Sequence, residues 1–231
     1  MLSAYRAYHL QRLSMIQRAW FLPLFAGLGV ISWIAIATCE PPANDSGYRS
    51  STHFMLIGEM PANTALRGTA QYDPMPGQHG CPYHHPQLHL DTRPSDLPQT
   101  FSFEVPLAWH LPDCTLQLSE VDFVTEGFYG AGYAQRSSTT SGAIAVRDAL
   151  QKGVPGFPES GEKEYRGICS WQTYTQPDGQ NLQSLLTCHA ANRQWTLISD
   201  QRRPRRPGGA VSRNELAGKT IRMTFRMAEA S

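Results

Sequence analysis

From residue 53 onward the chain falls into short bursts in which apolar and polar residues alternate. "TIRMTFRM" (220–227) is the clearest: Ile221, Met223, Phe225 and Met227 take every second position, with polar or basic residues between. That is the period of a strand burying one face. "HFMLIGEM" (53–60), "ALRGTAQY" (65–72), "TFSFEVPLAW" (100–109) and "TLQLSEVDFV" (115–124) read the same way, bounded by Pro, Gly and Asp. "GFYGAGYA" (127–134), the arms 165–175 and 181–189, "QWTLISD" (194–200) and "KTIRMTFRMA" (219–228) complete the predicted strands. One segment departs from this period. In "AIAVRDALQK" (143–152), Ile144, Val146 and Leu150 share a face if the chain is helical. Many short strands separated by turn residues, with no internal repeat, predict a mainly β domain, a β-sandwich or barrel, with one short helix.

The pattern before residue 40 is of another kind. "AWFLPLFAGLGVISWIAIATC" (19–39) is uncharged over 21 residues, and Arg6, Arg12 and Arg18 precede it without a carboxylate. About 20 apolar residues span a bilayer as a helix, and basic residues on the N-terminal side keep that side in the cytoplasm. Residues 40–231 are therefore expected outside the cytoplasm, at a bacterial cell envelope. The stretch ends in "IATC", which resembles a lipoprotein box, with Cys39 as the acylated residue. Thr38 stands where Gly, Ala or Ser is usual and Ile36 where Leu is commonest. Read from Met15, the leader has the proportions of a signal peptide; read from Met1, it is also an uncleaved anchor. Glu40 after Cys39 mildly favours the outer membrane. "EPPANDSGYRSS" has no apolar run, so residues 40–52 read as a flexible tether before an extracytoplasmic domain over 53–231.

Five cysteines leave one unpaired in an exported protein. With lipid on Cys39, four remain. Pro177-Asp178-Gly179 lies midway between Cys169 and Cys188 and carries the residues of a tight turn. A hairpin there brings Cys169 opposite Cys188, and Cys81 then pairs with Cys114 by elimination.

Charge narrows the classes further. The 231 residues carry 20 basic and 19 acidic groups, and three of the basic ones precede Cys39; the remainder has 17 against 19, a formal net charge of −2. A nucleic-acid-binding domain shows a basic footprint instead. Six carboxylates and no Lys or Arg lie between Arg93 and Arg136, whereas nine basic residues lie from Arg193 to Arg226. Glu120, Asp122 and Glu126 are thus candidates for a positively charged partner, or for pairing with the basic C-terminal third. Arg202, Arg203, Arg205 and Arg206, in "QRRPRRPGG", fork readily onto carboxylates or phosphates. Phe128, Tyr129 and Tyr133 sit among Gly127, Gly130 and Gly132 as recognition anchors, or as the core of a bulged strand.

"HGCPYHHPQLH" (79–89) gathers His79, Cys81, His84, His85 and His89, ligands that suit zinc or copper. Pro82 and Pro86 interrupt them, no zinc-finger spacing is present, and Cys81 is better used in a disulfide, so a surface loop is the expectation and no cofactor is required. Ser160-Gly-Glu-Lys163 matches S-x-x-K without its companion motifs. Gly218-Lys219-Thr220 lacks the upstream glycine of a phosphate loop. No G-x-S-x-G or H-E-x-x-H occurs, and nothing supports an enzyme.

The signal segment, "IATC" and a small disulfide-stapled domain together resemble periplasmic immunity lipoproteins that block secreted bacterial toxins such as membrane-acting lipases. The resemblance implies a protein partner, inhibition by occlusion and a lipid on Cys39. Two other readings remain: a structural lipoprotein of an envelope or secretion assembly, and a metal- or ligand-binding envelope protein using residues 79–89.

Overall fold

The computed structural model of the chain describes residues 47–83, 85–137, 141–175, 182–200 and 203–229. In chain order their strands are β1 (Tyr48–Arg49), β2 (His53–Met60), β3 (Thr64–Pro74), β4 (Gln87–Asp91) and β5 (Gln99–Pro106). Then come β6 (Ala108–Leu111), β7 (Cys114–Tyr129), β8 (Gln135–Ser137), β9 (Ser141–Arg147) and β10 (Glu162–Thr175). β11 (Leu182–Ala191), β12 (Ser199–Asp200), β13 (Arg203–Pro204), β14 (Gly208–Ser212) and β15 (Thr220–Met227) complete the set. Apart from the β12–β13 pair, they form two sheets. The first runs β1-β6-β7-β3-β4, with β8 and β9 also on β7, and β14 on β9. The second runs β11-β10-β15-β2-β5, in which β15 is parallel to both of its neighbours.

The 16-residue β7 organises the first sheet, and its side chains show how. Cys114, Leu116 and Leu118 are buried, then Val121, Phe123 and Thr125, so the inward phase slips by one residue at Ser119. Opposite that slip the register of β3 shifts between Gln71 and Tyr72, and the Ser119 hydroxyl donates to the Gln71 carbonyl at 3.2 Å. A bulge thus keeps both halves of one long strand facing the core. Phe54, Leu56 and Met60 of β2, Leu66 and Tyr72 of β3, and Ile221, Met223 and Phe225 of β15 meet those β7 residues in one core. Each such side chain contributes roughly 1.5–3 kcal/mol by leaving water. The Tyr72 phenol donates to the Pro106 carbonyl at 3.0 Å, and burial pushes its pKa up to about 12.

Both disulfides form. Cys169 and Cys188 face each other in the β10–β11 register with Cα atoms 4.0 Å apart, and Cys81–Cys114 ties the 75–86 loop to the start of β7 with a Cα separation of 5.2 Å. The turn at 177–179 lies outside the described residues.

The structure corrects four expectations, the first being the strand over 127–134: β7 keeps only 127–129, and Ala131–Tyr133 form a 3-10 turn because Gly130 and Gly132 take positive φ. Residues 141–147 form β9 and not a helix: Gly142, Ile144 and Val146 are buried alternately, a period of two, and Leu150 falls in the following loop. Two β-branched residues on one face favour the pleated sheet. Of the strand expected over 194–200 only Ser199–Asp200 remains, because the Asn192 side chain accepts the Gln194 and Thr196 N–H groups at 2.9 Å and closes a turn. Within the expected tether, Tyr48–Arg49 already pair with His110 and Trp109 of β6. The helix expected over residues 19–39 and Cys39 lie outside the described residues. Among the described residues, no helix is long and apolar enough to cross a membrane.

Candidate recognition surface

β7 and β10 position the most distinctive surface feature. The inward face of β10 carries Lys163, Tyr165, Gly167, Cys169 and Trp171 in turn, so Trp171 follows the disulfide on the same side. Its ring lies against the β7 backbone at Gly127, where a Cβ would stand 2.4 Å from the indole Cη2. Only a hydrogen fits there. Tyr129 meets the same indole edge to face, with ring centroids 5.7 Å apart.

β7 ends at Tyr129, and Gly130 follows at φ 80°. A 3-10 turn, Ala131–Tyr133, with Gly132 at φ 62°, reverses the chain into β8 and sets Tyr133 edge to face with Phe128 at 6.0 Å. Asn63 lies beside them, its carbonyl accepting the Phe128 N–H at 2.8 Å. Asn63, Phe128, Tyr129, Gly130, Tyr133 and Trp171 line a cup of about 320 Å³. Among the described residues three non-glycines have positive φ, and two of them, Asn63 and Tyr133, both at 60°, line this cup. Left-handed backbone costs most L-residues roughly 1–2 kcal/mol, whereas Asn tolerates it, so the strain sits at Tyr133. Such strain, held in place by surrounding structure, is characteristic of functional sites.

The candidate carboxylates lead up to the cup along the outer face of the first sheet. Glu126 and Phe128 share that face of β7, two residues apart. The Glu126 side chain, only 11% exposed, lies 3.3 Å from Arg67 and 3.8 Å from Arg136, the residue opposite Phe128. Asp122 accepts a hydrogen bond from the Gln71 amide, and Glu120 lies 3.9 Å from Arg147. Burial, together with the adjoining Asp122, raises the Glu120 pKa, against the pull of Arg147. The ion-pair partners of these carboxylates thus come from β3, β8 and β9, not from the basic C-terminal third.

The other candidates lie apart from the cup. Arg203, Arg205 and Arg206 are exposed, with Arg206 donating to the Ser141 hydroxyl at 3.2 Å, while Arg202 is outside the described residues. In the histidine stretch, Cys81 is consumed by its disulfide, His79 is exposed, His85 sits 4.0 Å from Asp73, and His89 is opposite Thr69 on β4. Among the described residues, which exclude His84, no three His, Cys, Asp or Glu side chains come together to hold a metal ion.

Sequence reading missed Trp171 and Asn63. For Trp171 a signal existed: two residues beyond Cys169 in a strand, it shares the inward face that the disulfide defines. Asn63 carried none beyond its tolerance of left-handed backbone. Compared with family models, curated proteins and solved structures, the chain has no match.

Proposed function

We propose that the chain is a membrane-anchored protein of the bacterial envelope whose exported domain binds a partner protein through the aromatic cup and the acidic face beside it. One observation carries the reading: Phe128, Tyr129, Tyr133 and Trp171 gather at the end of β7, with Tyr133 itself held in left-handed backbone. Half-exposed Trp and Tyr held rigidly by their neighbours are what binding hot spots are made of, because they give large contact area at small entropic cost. Two disulfides are consistent with an oxidising compartment outside the cytoplasm. With the "IATC" leader, this supports an immunity protein that occludes a secreted toxin such as a lipase, held on the membrane by lipid on Cys39 or by the 19–39 helix.

The test is recovery of the tagged full-length protein from solubilised membranes of its native host, with bound proteins identified by mass spectrometry. One stoichiometric partner of secreted-toxin type, lost with Trp171→Ala, is expected. Several fixed envelope subunits would instead assign the chain to a structural assembly, and an unchanged partner on Trp171→Ala would remove the cup from the interface.

A further inference from the structure

A second, larger cavity of about 1460 Å³ is lined by parts of β9, β10 and β14 and by the 148–161 segment joining β9 to β10. Connections of this length without strand or helix are uncommon, and are usually either functional or linker segments. The cavity is lined by Lys163, which is only 8% exposed. Its ammonium donates to the Pro155 carbonyl at 2.6 Å and the Ala210 carbonyl at 3.1 Å, and lies 5.8 and 5.9 Å from the rings of Phe157 and Tyr165. An ammonium has three N–H donors, and the third has no acceptor among the described residues.

No carboxylate pairs with Lys163 among the described residues. Glu215 accepts the Phe157 N–H at 3.0 Å and keeps its charge, which reaches Lys163 without forming an ion pair. Arg147, Lys163, Arg166, Arg193 and Arg205 line the cavity against two acids, Glu162 and Glu164. Both acids are ion-paired, Glu162 with Arg222 at 2.6 Å and Glu164 with Arg166 at 2.7 Å, and Arg147 in turn reaches Glu120 at 3.9 Å. The lining therefore carries a formal excess of positive charge, and its buried ammonium, without a directly paired carboxylate, lies within 6 Å of two aromatic rings. A buried charge without a directly paired counter-ion is costly. Accordingly, burial lowers the Lys163 pKa, against the charge of Glu215.

We propose that this cavity binds a small organic carboxylate, with its oxyanion on the remaining Nζ–H of Lys163 and its apolar body against Phe157 and Tyr165. One free donor matches one oxygen of a monoanion, and the rings match an apolar tail. A phosphate would want several donors, as a nest of backbone N–H groups provides. A cation would meet the arginines. This site is separate from the aromatic cup and does not depend on the partner-binding reading.

The chain has three lysines, Lys152, Lys163 and Lys219, so the full-length protein labelled with ¹³C at lysine Cε gives one methylene signal for each. Phenylacetate, its neutral counterpart phenylacetamide and inorganic phosphate are titrated in turn into the protein held in nanodiscs. Phenylacetate is expected to move the Lys163 signal saturably and to leave Lys152 and Lys219 in place, while the amide and phosphate bind at least about tenfold more weakly, 1.4 kcal/mol or more. Lys163→Met should abolish saturable phenylacetate binding. A Lys163 signal that stays still would overturn the proposal and leave Lys163 as a brace for the 148–161 segment. So would equal responses to phenylacetate and phenylacetamide, or equal shifts at all three lysines. Because the wild-type signal decides, a Lys163→Met variant that does not fold leaves the test intact.

Discussion

Replacing Gly127 with alanine puts a methyl group where Trp171 lies. The new Cβ would stand 2.4 Å from the indole Cη2, 2.8 Å from Cζ2 and 2.9 Å from the Leu186 Cβ. Two of these contacts belong to one ring, so the ring must tilt off β7, and overpacking of this kind costs roughly 1–3 kcal/mol. Alanine also restricts the unfolded chain, which returns about 0.4–1 kcal/mol. The net loss is about 1–2 kcal/mol, or a fall in Tm of ~2–8 °C for a domain of this size. Thermal and urea unfolding measure the loss, and near-ultraviolet circular dichroism follows the displaced Trp171–Tyr129 pair. In a Trp171→Ala background the ring clash is gone but Leu186 remains, so the penalty shrinks without vanishing. The double-mutant cycle should then show coupling of ~1 kcal/mol or more. A Gly127→Ala protein as stable as wild type, or an equal loss with and without Trp171, would refute the account of how the cup is held.

Removing Cys169–Cys188, which closes 19 residues, should cost about 3 kcal/mol, and removing Cys81–Cys114, which closes 33, about 4 kcal/mol, read as shifts in urea midpoint for the paired Cys→Ala variants. Tyr72→Phe leaves the buried Pro106 carbonyl without its donor and should cost about 1–2 kcal/mol by the same assay. Burial holds the Tyr72 and Tyr165 phenols up to about 12, whereas unfolded tyrosine titrates near 10. The unfolded state therefore loses these protons first, and stability present below pH ~10 should fall as pH rises towards ~12, with two phenolate signals appearing late in an ultraviolet titration. Against an identified partner, Glu120→Lys should slow association in a salt-dependent way, while Tyr133→Ala should speed dissociation about tenfold or more. The reverse pattern would place the contact on the acidic face and not in the cup.

What the sequence disclosed was local. The alternation in 53–60 and 220–227 was enough to place β2 and β15, because one buried face imposes a period of two. The Cys169–Cys188 pairing followed from a turn signal midway between them. Residues 143–152 misled because Ile144, Val146 and Leu150 satisfy both a two-residue and a helical spacing, and what decides is β7 and β14 flanking the segment, pairings over 20 and 60 residues away. Glu126 suggested an outside partner or the basic C-terminal third because Arg67, its actual partner on β3, lies 59 residues back. The cup was half visible: Phe128, Tyr129 and Tyr133 are contiguous, whereas Trp171 arrives from the other sheet. Lys163 stood out only as the end of an S-x-x-K match without companion motifs, whereas its setting is made by the carbonyls of Pro155 and Ala210.

The short β1 pairing fixes where attachments to this protein can be made. It seats Arg49 beside Trp109, which faces Leu116 near the start of β7, while the cup begins at Phe128, twelve residues along the same strand and about 40 Å away. At the other end of the sequence, Met227 lies opposite Cys169, two residues short of Trp171. The two ends of the domain are thus unequal as handles. A support, dye or fusion partner joined ahead of Gly47 stands clear of the aromatic rings, whereas the same group joined after Met227 crowds them, and a binding measurement immobilised by the wrong end would report the obstruction in place of the affinity.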